Sequence, residues 1–389
     1  MSNDKNKKRV GILTMYYNSA NYGGLLQAYA LVRYLNNKGV EAKQITYDFS
    51  RITININIPN RKWKSTFVLK TKKLIKSVLN EGSNIVHGLI GLKKIRRDAC
   101  KEFRDNIPHT QDIYTVDTLK RANDEFDVFI TGSDQVWNPN GYRPGFFLTF
   151  VDGKQKRKIA YAASVSNKIS PNALEVYTRA LKDFDVISVR ERADISQIRK
   201  TTENQVLWAV DPVFLLTKED WSSVAAGIKD IVSKPYIFCY FLGDSVKQRV
   251  AASEYASAKH LKIVTIPYMQ MNYRECDRGF GDVRLLKVSP NHFLGLIENA
   301  ECIFTDSFHA TAFSIIFRKK FVVFERSGHP EMIERIRSLI QLFKCNDNFI
   351  HEEKITVECL AEVLSKNDLQ YESEEFTHLL TLSKRILEI

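Results

Sequence analysis

No two of the six cysteines (Cys100, Cys239, Cys276, Cys302, Cys345, Cys359) are spaced as CxxC. That argues against zinc ribbons and disulfide frameworks, leaves no metal-ligand spacing, and fits thiols kept reduced. Long apolar runs are also missing. Gly11–Val32 is uncharged, but Asn18, Asn21, Gly23, Gly24 and Gln27 make it a poor membrane span, and Ile85–Leu92 is too short for one. No apolar segment backs the charged start MSNDKNKKRV, so no secretory signal is expected and the chain is assigned to the cytosol. The loop NSANYGG after the first apolar run is not GxGxxG, and no acidic residue stands where a ribose would need one. A dinucleotide site is therefore not expected.

What is present is an ordinary globular composition, 44% hydrophobic and 26% charged, in 389 residues, enough for two domains. The net charge of +12 is uneven. Between Arg61 and Arg104 thirteen Lys and Arg face only Glu81, Asp98 and Glu102, a surplus that attracts phosphates. Within it Thr66–Leu79 reads as an amphipathic helix, either lying on an anionic membrane surface or packed on the domain with solvated lysines. The segment lacks interleaved exposed aromatics and no known nucleic-acid motif appears, so nucleic acid is not an expected partner.

The elements alternate. Arg9–Thr14, a helix over Gly23–Asn37 and Ala42–Tyr47 form a β–loop–α–β opening, which predicts a parallel Rossmann-like sheet. Asp127–Thr131 runs into GSDQVWNPN, whose Gly132-Ser133 turn is expected to leave Asp134 and Trp137 facing a crevice; a capped turn with Trp137 in the core is the alternative. Arg190-Glu191-Arg192 follows the strand Asp185–Val189, where an arginine suits a carboxylate or phosphate clamp, or a plain salt bridge. A second series starts at Tyr236. It culminates in CIFTDSFHATAFSIIFRKKFVVFE (Cys302–Glu325), a strand, a turn with capping residues Asp306 and Ser307, a buried helix and another strand. His309 falls in the first turn of that helix, beside free N–H groups and the positive end of a helix dipole, which together suit an anion; a half-buried histidine that only helps cap the helix is the alternative. The expected architecture is α/β, with an N-terminal Rossmann-like domain over 1–215, carrying the basic segment 61–104, and a second over 216–389. The last helix is placed to pack back on the first domain.

NYGGLLQAYAL (Asn21–Leu31), GSDQVWNP (Gly132–Pro139), KIAYAAS (Lys158–Ser164), SVRE (Ser188–Glu191), DP (Asp211-Pro212) and TDSFHATAFSIIF (Thr305–Phe317) occur in one order. Together they resemble the polysaccharide pyruvyl transferase family. The resemblance implies two Rossmann-like domains facing a cleft, as in glycosyltransferase-B enzymes. It also implies transfer of the enolpyruvyl group of phosphoenolpyruvate onto two hydroxyls of a sugar, with no cofactor beyond that co-substrate. It makes His309 the candidate acid/base and Arg190 the donor's arginine. Asp134 is a second catalytic candidate, orienting the acceptor or lining the cleft, with Asn21 and Tyr22 at its rim. Trp137, Asp306 and Ser307 complete the expected binding set. Relatives often carry Arg-Leu-His where Ser307-Phe308-His309 stands, so Arg318, Lys319 or Arg192 would supply the missing cation. The acceptor would be a sugar of a surface polysaccharide or a lipid-linked precursor, met at the inner face of the cell membrane. A nucleotide-sugar glycosyltransferase, with Glu325 holding a ribose, and a non-catalytic membrane-docked protein are the alternatives.

Overall fold

A computed structural model describes residues 7–50, 54, 56–57, 83–153, 155–228, 230–232, 235–269, 274–326, 330–366 and 373–389. The first half runs β1 (Arg9–Leu13), α1 (Tyr22–Asn37), β2 (Glu41–Gln44), α2 (Ser83–Asp105), β3 (Val128–Thr131), β4 (Arg157–Ala163), α3 (Pro171–Leu181), β5 (Val186–Val189), α4 (Asp194–Ile198) and β6 (Val206–Trp208). The second half continues with α5 (Lys218–Val224), β7 (Tyr236–Tyr240), α6 (Val246–Ala258), β8 (Lys262–Thr265), β9 (Val283–Arg284), α7 (Pro290–Glu298), β10 (Cys302–Thr305) and α8 (Phe308–Ile316). It closes with β11 (Lys320–Phe324), α9 (Pro330–Leu342), β12 (Phe349–Ile350), α10 (Val357–Lys366) and α11 (Glu374–Ile386).

Strands covered on both faces read as near-continuous apolar runs. VFIT of β3, YIFCY of β7 and CIFT of β10 are buried at every position. They build two parallel six-stranded sheets, ordered β2-β1-β3-β4-β5-β6 and β9-β8-β7-β10-β11-β12. In each sheet the strand order reverses beside the first strand, between β1 and β3 and between β7 and β10. The carboxyl ends of strands at such a reversal open a crevice for ligands.

The two halves share a core. Tyr22 stacks on Phe293 with ring centroids 4.7 Å apart, and its hydroxyl donates to the Val288 carbonyl at 2.9 Å. Arg96 of α2 is buried over the Tyr22 ring, donating to the Ala20 carbonyl at 2.8 Å and the Tyr240 hydroxyl at 3.1 Å. Tyr22 is thus an inter-domain packing residue and not part of an open rim. On the other flank α11 offers the Ser383 hydroxyl to the Val210 N–H at 3.0 Å, and Phe376 packs on Phe214 and Phe343.

The expected amphipathic helix Thr66–Leu79, and with it the basic run from Arg61 to residue 82, lies outside the described residues. Of the part that is described, Lys93, Lys94, Arg97 and Lys101 are exposed, whereas Arg96 and Arg104 turn inward. Among the described residues no helix is long and apolar enough to cross a membrane.

Candidate active site

The site grows from two helix N-termini. Ser307 caps α8 by accepting the Ala310 N–H on its hydroxyl at 3.5 Å, which sets His309 in the first turn. From the other domain the first turn of α1 comes directly against the imidazole. A methyl group at Gly23 would stand 1.9 Å from His309 Nδ1, so only glycine lets the helix approach so closely. The leading N–H groups of a helix lack intrahelical partners and carry the positive end of its dipole. Here two such ends converge on one buried histidine.

His309 Nε2 has no hydrogen-bond partner and lies 3.6 Å from Asp211 Oδ2, beyond a hydrogen bond but within reach of a charge contact. Asp211 itself is fully enclosed. It takes a hydrogen bond from Arg190 Nη1 at 2.7 Å, with the Ser133 hydroxyl at 3.5 Å, and its other oxygen accepts the Val213 N–H at 3.1 Å. Burial alone would raise its pKa, but His309 and Arg190 outweigh it and hold it at about 2. Arg190 also donates through Nε to Glu191 at 2.9 Å, stacks 4.5 Å above the Phe308 ring, and keeps Nη2 without a partner. Burial pulls its pKa down, yet the charges of Glu191, Asp211 and Asp134 more than reverse that. Glu191 receives a second cation, Arg335 of α9, at 3.0 Å, and Arg335 reaches on to Asp134 at 3.9 Å. Next to them Asp194 accepts the Val165 N–H at 3.0 Å and hydrogen bonds Glu191; burial and the Glu191 charge push it up to about 8.

Two arginines, Arg190 and Arg335, and the carboxylates of Asp134, Glu191 and Asp211 thus lock the two domains around His309. Asp134, Arg190 and His309 come together with Asp211, Glu191 and Arg335. Arg335 was not anticipated from the sequence. Its signal was a charged residue on the buried stripe of a helix, in register with Ser338, Leu339 and Leu342. Alongside the lattice a cavity of about 600 Å³ opens between Ser166, Lys168, Asp194, Lys200 and Arg335.

Several expected positions fall elsewhere. Trp137 does not face a crevice: it is fully buried, stacked on Phe147 at 5.5 Å, with its indole N–H on the Phe146 carbonyl. Aromatic neighbours from α3 and the loop after β3 offered it a better-packed position than the cleft. Arg192 points outward to Glu375 of α11 at 3.4 Å. Arg318 has φ 54° in the turn closing α8, which puts it at the amino ends of the strands, a helix length (about 13 Å) from His309. Asp306 is spent on the backbone, its two oxygens taking the N–H groups of Leu242 and Gly243 at 2.6 Å each. Arg326 donates to the Asp306 carbonyl at 2.6 Å, so Arg326, like Arg335, is a cation that reaches this end of the sheets. Asn21 is exposed just before α1. Glu325, the sequence candidate for a ribose, accepts the Glu352 N–H and faces His351 Nδ1 at 3.1 Å. With Glu353 these form a histidine–carboxylate cluster. Arg337 stands at His351 Nε2 (3.2 Å), and an arginine only donates, so Nε2 accepts and Nδ1 carries the proton to Glu325. That makes a hydrogen-bond chain from the same atoms a metal would use.

Two facing parallel sheets with the site at their strand ends define a glycosyltransferase-B-like fold. Solved structures agree over nearly the whole chain. A protein from Listeria monocytogenes solved as a candidate UDP-N-acetylglucosamine 2-epimerase has TM-score 0.54 at 13% identity, covering 98% of this chain and 95% of its own. The UDP-GlcNAc 2-epimerase of Methanocaldococcus jannaschii has TM-score 0.52 at 12% identity, covering 98% of both. No curated protein matches the chain. The family profile described as polysaccharide pyruvyl transferase matches residues 21–328, and the chain belongs to that family.

Proposed function

We infer that the protein transfers the enolpyruvyl group of phosphoenolpyruvate to a sugar acceptor and closes it into a pyruvate ketal. The observation that carries this reading is His309, its Nε2 unpartnered beside Asp211 where two helix N-termini meet, in a chain of this family. In the reaction C3 of the enol takes a proton, C2 becomes cationic and one sugar hydroxyl adds there. The second hydroxyl then displaces phosphate, and the two hydroxyl protons pass to base. His309 supplies the proton to C3 and removes one from a hydroxyl, while Asp211 stabilises the imidazolium between those steps. The convergent N–H groups of α1 and α8, with Arg326 and Arg335, receive the donor's carboxylate and phosphate. Arg190 acts by holding Asp211 and Glu191. Its spare Nη2 is the part of it that can meet the donor. Asp134, at the mouth beside Gly24, orients the acceptor. That acceptor is a sugar of a surface polysaccharide or its lipid-linked precursor, brought near an anionic membrane by the exposed lysines of α2.

A donor screen by thermal shift tests this reading. A ligand that binds only the folded state raises the melting temperature by mass action. Phosphoenolpyruvate should raise it and UDP-sugars should not. A shift with UDP-N-acetylglucosamine and none with phosphoenolpyruvate would favour nucleotide-sugar chemistry instead.

A further inference from the structure

On the far side of the Arg190 segment lies a second concavity that the proposed reaction does not use. β6 is the outer strand of its sheet and leaves Leu207 and Trp208 only partly covered. α11 runs beside it, and between them opens a groove of about 480 Å³. Its floor is apolar, from Val186, Leu207, Trp208 and Leu382, and Leu382 is among the few large apolar side chains of the described residues left exposed. Its rim is cationic, from Arg157, Arg192 and Arg385. The single carboxylate in the lining, Glu375, is already held by Arg192. Among the described residues neither Arg157 nor Arg385 forms an ion pair; Arg157 meets only the Glu388 carbonyl, at 3.5 Å.

We propose that this groove binds a single-chain anionic amphiphile, its hydrocarbon along β6 and its charged head on the rim arginines. A three-residue strand spans about 10 Å, room for a medium-length alkyl chain. The same shortness argues against an added peptide strand, which needs a longer edge to pair with. A neutral sugar would find arginines and leucines where it needs paired carboxylates and amides. The arginines match a phosphate or carboxylate head in both charge and fork geometry. The groove also touches the lattice behind it. The Trp208 indole N–H donates to the Arg190 carbonyl at 2.9 Å, and the Arg192 guanidinium lies 5.5 Å from the Trp208 ring. Occupation is therefore sensed by the segment that carries Arg190 and Glu191. The inference does not depend on which donor the enzyme uses.

The test uses the full chain and decyl phosphate below its micelle concentration, followed by calorimetry and tryptophan fluorescence. Decyl phosphate should bind and shift the emission, and Trp208→Phe should abolish the shift. Decyl maltoside and inorganic phosphate should each bind at least about tenfold more weakly, and Arg385→Gln should cost about tenfold, the loss of one charge-assisted contact. Equal binding of decyl phosphate and decyl maltoside would overturn the proposal. So would unchanged affinity in the double variant Leu382→Gln, Arg385→Gln. Co-sedimentation with phosphatidylglycerol vesicles, without any response to monomeric decyl phosphate, would contradict it too, and would make the groove part of a membrane-facing surface.

Discussion

Each half of the molecule buries an arginine against acidic and aromatic groups, and the two are used differently. Arg249, on α6, gives Nε and Nη2 to Asp277 at 3.0 and 2.7 Å, Nη1 to the Ser245 carbonyl and Nη2 again to Gly243, between the rings of Phe241 and Phe280. Every nitrogen is satisfied, and all partners lie within one domain. Arg190, after β5, lies over the Phe308 ring but leaves Nη2 open, and the network it anchors leaves His309 Nε2 open as well. Unmade hydrogen bonds in a buried site cost stability. A fully satisfied network is explained by folding alone. One with open atoms from both domains, on Arg190 and His309, is explained by a ligand that completes it.

The largest effect should come from the satisfied partner. Arg249→Met strands a buried Asp277 and should cost about 3–5 kcal/mol of stability in urea unfolding. Donor affinity and turnover per folded molecule should stay native, whereas Arg190→Met should lower both. If the two variants change donor affinity alike, the contrast fails. Gly23→Ala sharpens the comparison without touching a charge. Its methyl would stand on His309 Nδ1, so the imidazole or the end of α1 must move: turnover should fall by about 10²-fold, and the overpacked seam should cost about 1–3 kcal/mol of stability. Native turnover in that variant would show that the imidazole's place is not critical. The smallest effect on turnover is expected from Asp194→Asn, because the amide still accepts from Val165 and can donate to Glu191. Its signature is in stability. Folded Asp194 keeps its proton up to about 8, whereas the unfolded chain releases it near the ordinary carboxylate value of about 4. The native protein therefore loses stability from this group as pH rises through that window, and the asparagine variant does not. Melting curves should diverge in favour of Asp194→Asn across the window and run parallel above it; curves parallel throughout would refute the shared proton.

Local pattern was enough for the frame. The stretch from Cys302 to Phe324 folds as its apolar runs and its Ser307 cap predict, and His309 could be placed because a helix start fixes its own first turn. The partners of His309 were not legible in that way. Asp211 stood out only as half of a short motif, and Arg335 not at all, since their meeting depends on how two sheets face each other. Trp137 and Tyr22 were misplaced for the same reason. An aromatic beside a glycine turn is ambiguous until the rings that would bury it, Phe147 or Phe293, are known to be near. Arg96 shows the limit of reading charge runs, because one member of a basic stretch became the buried tie between domains.

The central claim, that His309 moves a proton in pyruvyl transfer, is tested most directly by single-turnover release of phosphate from phosphoenolpyruvate with an accepted glycan. His309→Ala and His309→Gln should both be slower than the native enzyme by about 10²–10⁴-fold, with donor binding reduced far less and melting curves confirming the fold. Near-native release by the glutamine variant, which keeps a hydrogen bond but cannot shuttle a proton, would contradict the claim.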